Sequence, residues 1–150
     1  MAKINISNLN KNRKINPREV RKVSRFAIRR ACHERTGEIN LVFVNNAAIK
    51  RLNRKYKRKN SSTDVLCFCF FEGMPFEDIW EGFKADIYIS SDKAFTNSKR
   101  FRTSFKRELY LYIIHGILHM CGFRDNTLNV RKKMGKMQEK LLSEFLGDKK

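Results

Sequence analysis

The chain has few acidic residues and few of the residues that interrupt regular structure. Its 150 residues include 15 Asp and Glu against 33 Lys and Arg, which leaves a formal charge of +18, and only 2 prolines and 7 glycines. Such a charge on a small protein is typical of proteins that bind a polyanion. The polyanion is most often nucleic acid and less often an anionic membrane. Hydrophobic residues still make up 41% of the chain, so we expect a single folded domain over residues 1–150.

Long hydrophobic runs and paired cysteine motifs are also missing. No segment approaches the roughly 18 apolar residues that a membrane-spanning helix needs, and the first residues lack the apolar centre of a signal peptide. We therefore expect a soluble, cytoplasmic protein. The absence of CxxC spacing argues against a disulfide framework, and we expect all four cysteines to be reduced core thiols: Cys32, Cys67, Cys69 and Cys121.

Hydrophobic periodicity predicts strands that alternate with helices. Strands are expected over residues 3–9, 39–44, 65–71 and 85–90. Helices are expected from residue 17 until shortly before Gly37, and over residues 49–56, 92–100, 105–121 and 128–145. Three of these helices are preceded by a side chain that can cap their N-terminus. The candidates, in chain order, are Asn16, either Ser91 or Asp92, and Ser104. The aromatic segment 72–84 has no clean period and is expected to be a flap-like connection.

The predicted helix that ends near residue 121 is apolar on nearly every side and must therefore be central. It carries His115 and His119, which lie one helical turn apart, so both imidazoles can bind the same metal ion. Gly122 can turn the chain back after the helix, which allows Asp125 to offer a third ligand. Two nitrogens and one oxygen, with a fourth position open to water, form a recurring catalytic zinc arrangement. The alternative is a pair of core histidines bonded to the backbone.

A zinc protease of the HExxH type shares this histidine spacing, but its general base is the glutamate directly after the first histidine. Gly116 occupies that position here, so the protease mechanism lacks its base. We expect Gly116 to remove bulk beside the metal, which would suit a large substrate.

Seven of the ten residues from 50 to 59 are basic. A helix that directs Ile49, Leu52 and Tyr56 inward would leave these basic side chains outside. The overall charge favours an RNA-backbone surface over a merely solvated helix face. Four aromatic residues further along could stack on a base, although such residues are more often part of a core: Phe70, Phe71, Phe76 and Trp80.

Four sequence segments between about residues 50 and 126 match one known pattern. HGILHMCGFRD at 115–125 resembles the signature HGxLHLxGYxH, residues 52–59 resemble LNxxYRxK, residues 63–68 resemble TDVLSF, and residues 85–90 resemble GDIxIS. In these motifs the chain resembles the YbeY family of bacterial endoribonucleases. The resemblance implies an α+β fold, with a small mixed four-stranded sheet and about five helices. It also implies one zinc ion per chain at the C-terminal end of the central helix.

The resemblance assigns roles to individual residues. His115 and His119 stand at the first two ligand positions, and Asp125 stands where the family signature has a third histidine. Lys57 replaces an arginine that acts on RNA, and because lysine lacks the bidentate fork, the neighbouring Arg58 could substitute for it. Two cysteines replace the family's Ser and Pro, and we assign both to core packing on one strand face: Cys67 and Cys69.

The function that this resemblance implies is zinc-dependent cleavage of single-stranded RNA during 16S ribosomal RNA maturation and ribosome quality control. The partners would be ribosomal RNA and the small ribosomal subunit. The general base stays open: Glu108, two turns before His115, is a candidate for it or for a supporting role, and a plain helix-start carboxylate is the alternative. A competing function is a ribosome-associated RNA-binding module with a structural metal. A fourth protein ligand such as Cys121 or Cys67 would favour that module.

Overall fold

The computed structural model describes residues 2–32, 36–59, 63–69 and 83–147. In chain order the elements are β1 (Lys3–Asn8), α1 (Pro17–Ala31), β2 (Gly37–Val44), α2 (Asn46–Lys57), β3 (Val65–Cys69), β4 (Phe83–Ser90), α3 (Ser91–Arg100), α4 (Phe105–Met120) and α5 (Leu128–Leu146). The strands form one sheet in the order β1-β2-β4-β3, in which β3 alone is antiparallel. The predicted α+β fold with a mixed four-stranded sheet and about five helices is confirmed.

Local capping determines where the helices begin. Asn16, Ser104 and Thr127 each accept hydrogen bonds from backbone amides of the following turn, as N-cap side chains do. The cap of α3 is Ser90, which accepts from the amide of Lys93, so the expectation of Ser91 or Asp92 was wrong by one or two residues. At its other end, α1 stops at Ala31. Gly37 does not adjoin the helix end as expected but is the first residue of β2.

The two faces of the sheet are covered by different helices. One face packs its fully buried side chains, such as Ile39, Leu41 and Ile87, in the core formed with α1, α4 and α5. The other face packs Val44 and Leu66 against Ile49 of α2. Tyr56 was expected to point inward, but it is 56% exposed and meets the ring of Phe68 edge to face. The helix ends one residue later, at Lys57, so Tyr56 lies in its last turn.

The central helix is α4, which contacts β3, β4 and the three helices α1, α3 and α5. It crosses the sheet at Gly116, where an added Cβ atom would lie 2.6 Å from Cγ2 of Ile87. Gly116 is therefore required for close packing of helix against sheet. Our expectation that this glycine clears space beside the metal was wrong.

A disulfide joins Cys32, at the end of α1, to Cys121, at the end of α4, with Cα atoms 5.5 Å apart. The expectation that all four cysteines are reduced was wrong for this pair. The packing of α1 against α4 brings the two helix ends together, although 89 residues separate the cysteines in sequence. Cys67 and Cys69 lie on one face of β3, as predicted, with their sulfur atoms 3.7 Å apart and half-buried against the core.

Among the residues described, no helix combines the length and the apolar character that crossing a lipid bilayer requires. The expected flap lies outside the described residues, apart from residues 83 and 84 at the start of β4, and so do all four aromatic residues proposed for base stacking: Phe70, Phe71, Phe76 and Trp80.

Candidate metal centre

The C-terminal end of α4 brings three potential metal ligands together. His115 and His119 project from the same face of the helix, with their Nε2 atoms 3.0 Å apart. Oδ2 of Asp125 lies 3.5 Å from Nε2 of His119. One donor atom from each residue lies within 4.8 Å of the other two, so the three predicted ligands do meet at one point.

A tight turn returns Asp125 to the end of the helix. Gly122 adopts a φ of 101°, a conformation that glycine takes without steric cost. The amide of Gly122 donates to the carbonyl of His119 at 3.1 Å, and the amide of Phe123 donates to the carbonyl of Leu118 at 3.0 Å. These bonds satisfy the last carbonyls of α4. The turn predicted at Gly122 is thus the element that positions the third ligand.

Hydrogen bonds at the other ring nitrogens fix which nitrogen of each imidazole is free to bind. Nδ1 of His119 lies 3.1 Å from the carbonyl oxygen of Phe123, and Nδ1 of His115 lies 2.8 Å from Oε1 of Gln138. With both oxygens acting as acceptors, this arrangement fits the tautomer in which each Nδ1 carries the proton and each Nε2 presents a lone pair. Two lone pairs that face each other at 3.0 Å repel unless a cation lies between them. The arrangement therefore fits a metal ion.

The donor set and its spacing agree with that conclusion. Imidazole nitrogens and a carboxylate oxygen bind zinc at about 2.0–2.2 Å, which separates neighbouring ligands by about 3.3–3.6 Å in a tetrahedron. The observed spacings of 3.0 and 3.5 Å need only a small adjustment. No fourth His, Cys, Asp or Glu joins the group in the part of the chain that the structure describes, and the sulfur of Cys121 is engaged with Cys32. The described ligands leave a coordination position open.

Burial keeps one imidazole in its metal-binding form. The pKa of His119 lies below its ordinary value, first because burial penalises the charged ring and second because His115 is close. Asp125 and the carbonyl of Phe123 oppose this shift only in part. Since neutral imidazole is the form that ligates metals, the environment of His119 favours ligation.

The centre opens into a cavity of about 500 Å³. Residues 119–120 and 122–126 form one side of it, and Lys57, Cys67 and Cys69 contribute to the rest. The structure therefore brings Lys57 to the same cavity as His119 and Asp125. Arg58, the substitute suggested by the sequence, is exposed at the end of α2 with a left-handed backbone and does not line the cavity.

Glu108 is not brought to the metal group. It lies in the first turn of α4, is only 6% exposed and accepts a hydrogen bond of 2.6 Å from the hydroxyl of Thr103. Seven residues of helix place it about 10 Å from His115 along the axis. Its contacts are those of a buried helix-start carboxylate.

Sequence reasoning missed Gln138, the partner of His115 on α5. The two residues are 23 positions apart, and no motif links them. One signal was present: Gln138 is a polar residue on the stripe that contains Met134, Leu141 and Leu142, which are buried. A polar side chain on such a stripe needs a partner inside the protein.

Comparison with known proteins agrees with the fold. The family model described as Endoribonuclease YbeY matches residues 5–146 of the chain. The chain belongs to the YbeY family. This confirms the resemblance noted in the sequence motifs and places the histidine pair in a family named for RNA cleavage.

Relatives with the name Endoribonuclease YbeY match most of this YbeY-family chain. The protein of Thermodesulfovibrio yellowstonii is 36% identical over 106 residues, which cover 70% of this chain and 65% of that protein. The protein of Bacteroides fragilis is 33% identical over 117 residues, which cover 78% of this chain and 79% of that protein. The solution structure of TM1509 from Thermotoga maritima matches with a TM-score of 0.63 and 27% identity, over 97% of this chain and 90% of that one.

Proposed function

We propose that this YbeY-family protein is a zinc-dependent endoribonuclease that acts in the cytoplasm on 16S ribosomal RNA during maturation and quality control of the small ribosomal subunit. The observation that carries this proposal is the group of His115, His119 and Asp125, whose donor atoms converge beside an open cavity. Three protein ligands and an open position are typical of catalytic zinc sites, whereas structural sites are normally closed by four ligands.

The chain's own residues prepare the centre for phosphodiester hydrolysis. His115 and His119 present their Nε2 lone pairs because their Nδ1 atoms donate to oxygen acceptors. Asp125 adds a negative charge that offsets part of the charge of a divalent ion. When bound, zinc supplies Lewis-acid polarisation of a phosphoryl oxygen or of water. Lys57, at the same cavity, attracts the phosphate and steadies negative charge that develops on it.

A basic surface leads to this cavity along α2. The seven basic side chains between residues 50 and 59 are all exposed: Lys50, Arg51, Arg54, Lys55, Lys57, Arg58 and Lys59. Lysines and arginines bind the RNA backbone through its phosphates, without regard to base sequence. The surface can hold an RNA strand while Lys57 brings one phosphate to the metal group. The resemblance of the sequence motifs to the family supports the proposal of ribosomal RNA as the substrate.

Metal content and cleavage test the proposal together. We expect the purified protein to hold about one zinc ion per chain and to cleave a fragment of 16S ribosomal RNA. Chelation should remove both properties, and added zinc should restore both. Asp125→Ala should weaken zinc retention, whereas Asp125→His should restore or tighten it, since imidazole replaces the lost oxygen ligand. Zinc-loaded protein that binds this RNA but leaves it intact with every divalent ion tried would show a binding module instead.

Salt dependence tests the RNA surface separately. Each neutralised phosphate contributes roughly 0.7–0.9 to the slope of log affinity against log salt. Neutralising Lys50, Arg54 and Lys57 should flatten that slope for unrelated RNA sequences. A matched control neutralises three exposed basic residues of α1: Arg18, Lys22 and Arg25. An equal change in the control would mean that diffuse charge, and not the surface on α2, holds the RNA.

A further inference from the structure

The terminal helix reaches the metal centre through one side chain. Gln138 of α5 is half-buried, and its Oε1 atom lies 2.8 Å from Nδ1 of His115. On the same helix, Met134, Leu141 and Leu142 are at most 2% exposed and anchor α5 on the core. The position of Gln138 is therefore set by the packing of a whole helix and not by a mobile loop.

The two imidazoles of the centre are oriented by different kinds of partner. A neutral imidazole carries its proton on one nitrogen only, and a hydrogen-bond acceptor at Nδ1 leaves Nε2 available to a metal. His119 obtains that acceptor from the backbone carbonyl of Phe123, which no side-chain substitution removes. His115 obtains it from the side chain of Gln138. The orientation of His115 thus depends on a residue that evolution or mutagenesis can change.

We propose that Gln138 is a positioning residue that holds His115 in its Nδ1–H tautomer and thereby sets the affinity of the centre for zinc. The inference deepens the proposed function and rests on it in one respect: the ion whose affinity Gln138 sets is the one proposed for RNA cleavage. Partners that orient metal-binding histidines typically change metal affinity by about 10- to 100-fold when they are mutated. A neutral amide is also a weaker acceptor than a carboxylate, so the native residue tunes the centre below its highest affinity.

Two substitutions at the same position separate positioning from mere packing. Gln138→Met keeps the length of the side chain but removes the acceptor, and Gln138→Glu keeps both the length and an oxygen acceptor. Glu139→Gln is the matched control, because the neighbouring Glu139 has a largely exposed side chain that lies 3.9 Å from Arg107. If Gln138 only fills space, methionine and glutamate should disturb the centre to a similar extent.

The first measurement is the tautomer of His115 in metal-free protein, read from long-range proton–nitrogen correlations by NMR at about pH 8, where unperturbed imidazoles are neutral. We expect the Nδ1–H form in the wild type, in Gln138→Glu and in Glu139→Gln, and a loss of this preference in Gln138→Met. An Nε2–H form of His115 in the wild type, or an unchanged tautomer in Gln138→Met, overturns the inference. This measurement does not depend on whether the protein cleaves RNA.

The second measurement is zinc affinity by competition with a chromophoric chelator. We expect Gln138→Met to bind zinc about 10- to 100-fold more weakly than the wild type, Gln138→Glu to bind at least as tightly, and the control to be unchanged. Equal affinities of wild type and Gln138→Met contradict the inference. If Gln138→Met does not fold, a weaker affinity in Gln138→Glu overturns it. Wild-type protein with no zinc affinity overturns this inference together with the proposed zinc enzyme, whereas protein whose zinc affinity depends on Gln138 but which cleaves no RNA refutes the proposed function alone.

Discussion

At its N-terminal end α4 buries Glu108 and Tyr112, and at its C-terminal end it half-buries His115 and His119. The first pair has partners within the protein: Thr103 donates to Glu108, and the amide of Asn97 donates to the hydroxyl of Tyr112. The Nδ1 atoms of the histidines have oxygen partners, while their Nε2 atoms face each other and Asp125. One end of the helix is internally satisfied, and the other end directs three potential metal ligands toward one point.

Burial acts on both ends in the same direction, toward the neutral form. Burial, reinforced by Asp64 and Glu108, raises the pKa of Tyr112 to about 12 despite the hydrogen bond from Asn97, so its hydroxyl stays protonated. Burial lowers the pKa of His119, so its ring stays unprotonated. A neutral hydroxyl serves hydrogen bonding inside a core, whereas a neutral imidazole serves a metal. The same physical effect therefore supports stability at one end and ligand binding at the other.

The largest expected effect concerns the C-terminal end. His119→Ala should reduce zinc-dependent RNA cleavage by about 10²–10³-fold or more, because the metal contributes where charge develops in the transition state. RNA binding and the free energy of unfolding of the metal-free protein should change little. The measurements are single-turnover cleavage, RNA affinity and urea unfolding. If His119→Ala loses as much stability as a core mutant, the C-terminal end of α4 also serves stability, which contradicts the assignment of different roles to the two ends.

The next effect concerns Gly116, where the helix crosses the sheet. Gly116→Ala should lower the free energy of unfolding by about 1–3 kcal/mol, because the new Cβ atom overpacks against Ile87. Thermal or urea unfolding measures this loss. Gly135→Ala is a control, since a Cβ atom at Gly135 meets nothing within 4 Å. If both variants are equally stable, close packing is not the reason for the glycine at position 116.

A smaller effect is expected at the N-terminal end. Glu108→Ala should cost about 1–3 kcal/mol of stability, since it leaves the hydroxyl of Thr103 without its acceptor. The zinc content of the variant should match that of the wild type. If a folded Glu108→Ala protein loses zinc or RNA cleavage, the N-terminal end of α4 contributes to the function of the C-terminal end. Glu108 would then again be a candidate for the catalytic base.

The smallest effect comes from a second internally satisfied cluster, around Asp92. Burial alone raises the pKa of Asp92, but hydrogen bonds from Asn10, Asn46 and Arg13 outweigh it and hold the pKa below its ordinary value. Ionised Asp92 therefore stabilises the fold fully above its unfolded pKa of about 3.9, and this contribution is lost as pH falls through the folded pKa.

The matching experiment compares the wild type with Asp92→Asn by urea unfolding at about pH 7 and about pH 3. At the higher pH the wild type should be more stable by about 1 kcal/mol, as expected for charge-assisted hydrogen bonds. At the lower pH the difference should shrink. A difference that stays constant or grows in acid would show that the carboxylate charge is not the stabilising feature.

Features set by neighbouring residues could be predicted from the sequence. The N-caps Asn16 and Ser104 bind amides within their own first turns, and the spacing of His115 and His119 follows from one turn of helix. Gly122 was predictable for the same reason, because its backbone conformation belongs to the local turn. The order of strands and helices followed from periodicity, which also depends on nearby residues.

Features set by packing between distant elements could not be predicted in this way. Cys32 meets Cys121 only because α1 lies against α4. Gly116 has a role only once Ile87 lies beneath it. Gln138 reaches His115 only when α5 has docked. In each case one residue alone carries no sign of its partner, because the contact depends on the tertiary arrangement of whole elements.

The order of the chain also determines when the centre comes into being during synthesis. The four strands that the structure describes precede residue 91, whereas the three potential ligands and Gln138 lie between residues 115 and 138. Chains emerge from their N-terminus and begin to fold in that order. A nascent chain interrupted before α4 can contain every strand of the sheet but not one of the three ligands. The capacity to bind an ion at this group, and with it any nuclease activity that depends on the ion, therefore arises only after α4 and the turn to Asp125 have been synthesised.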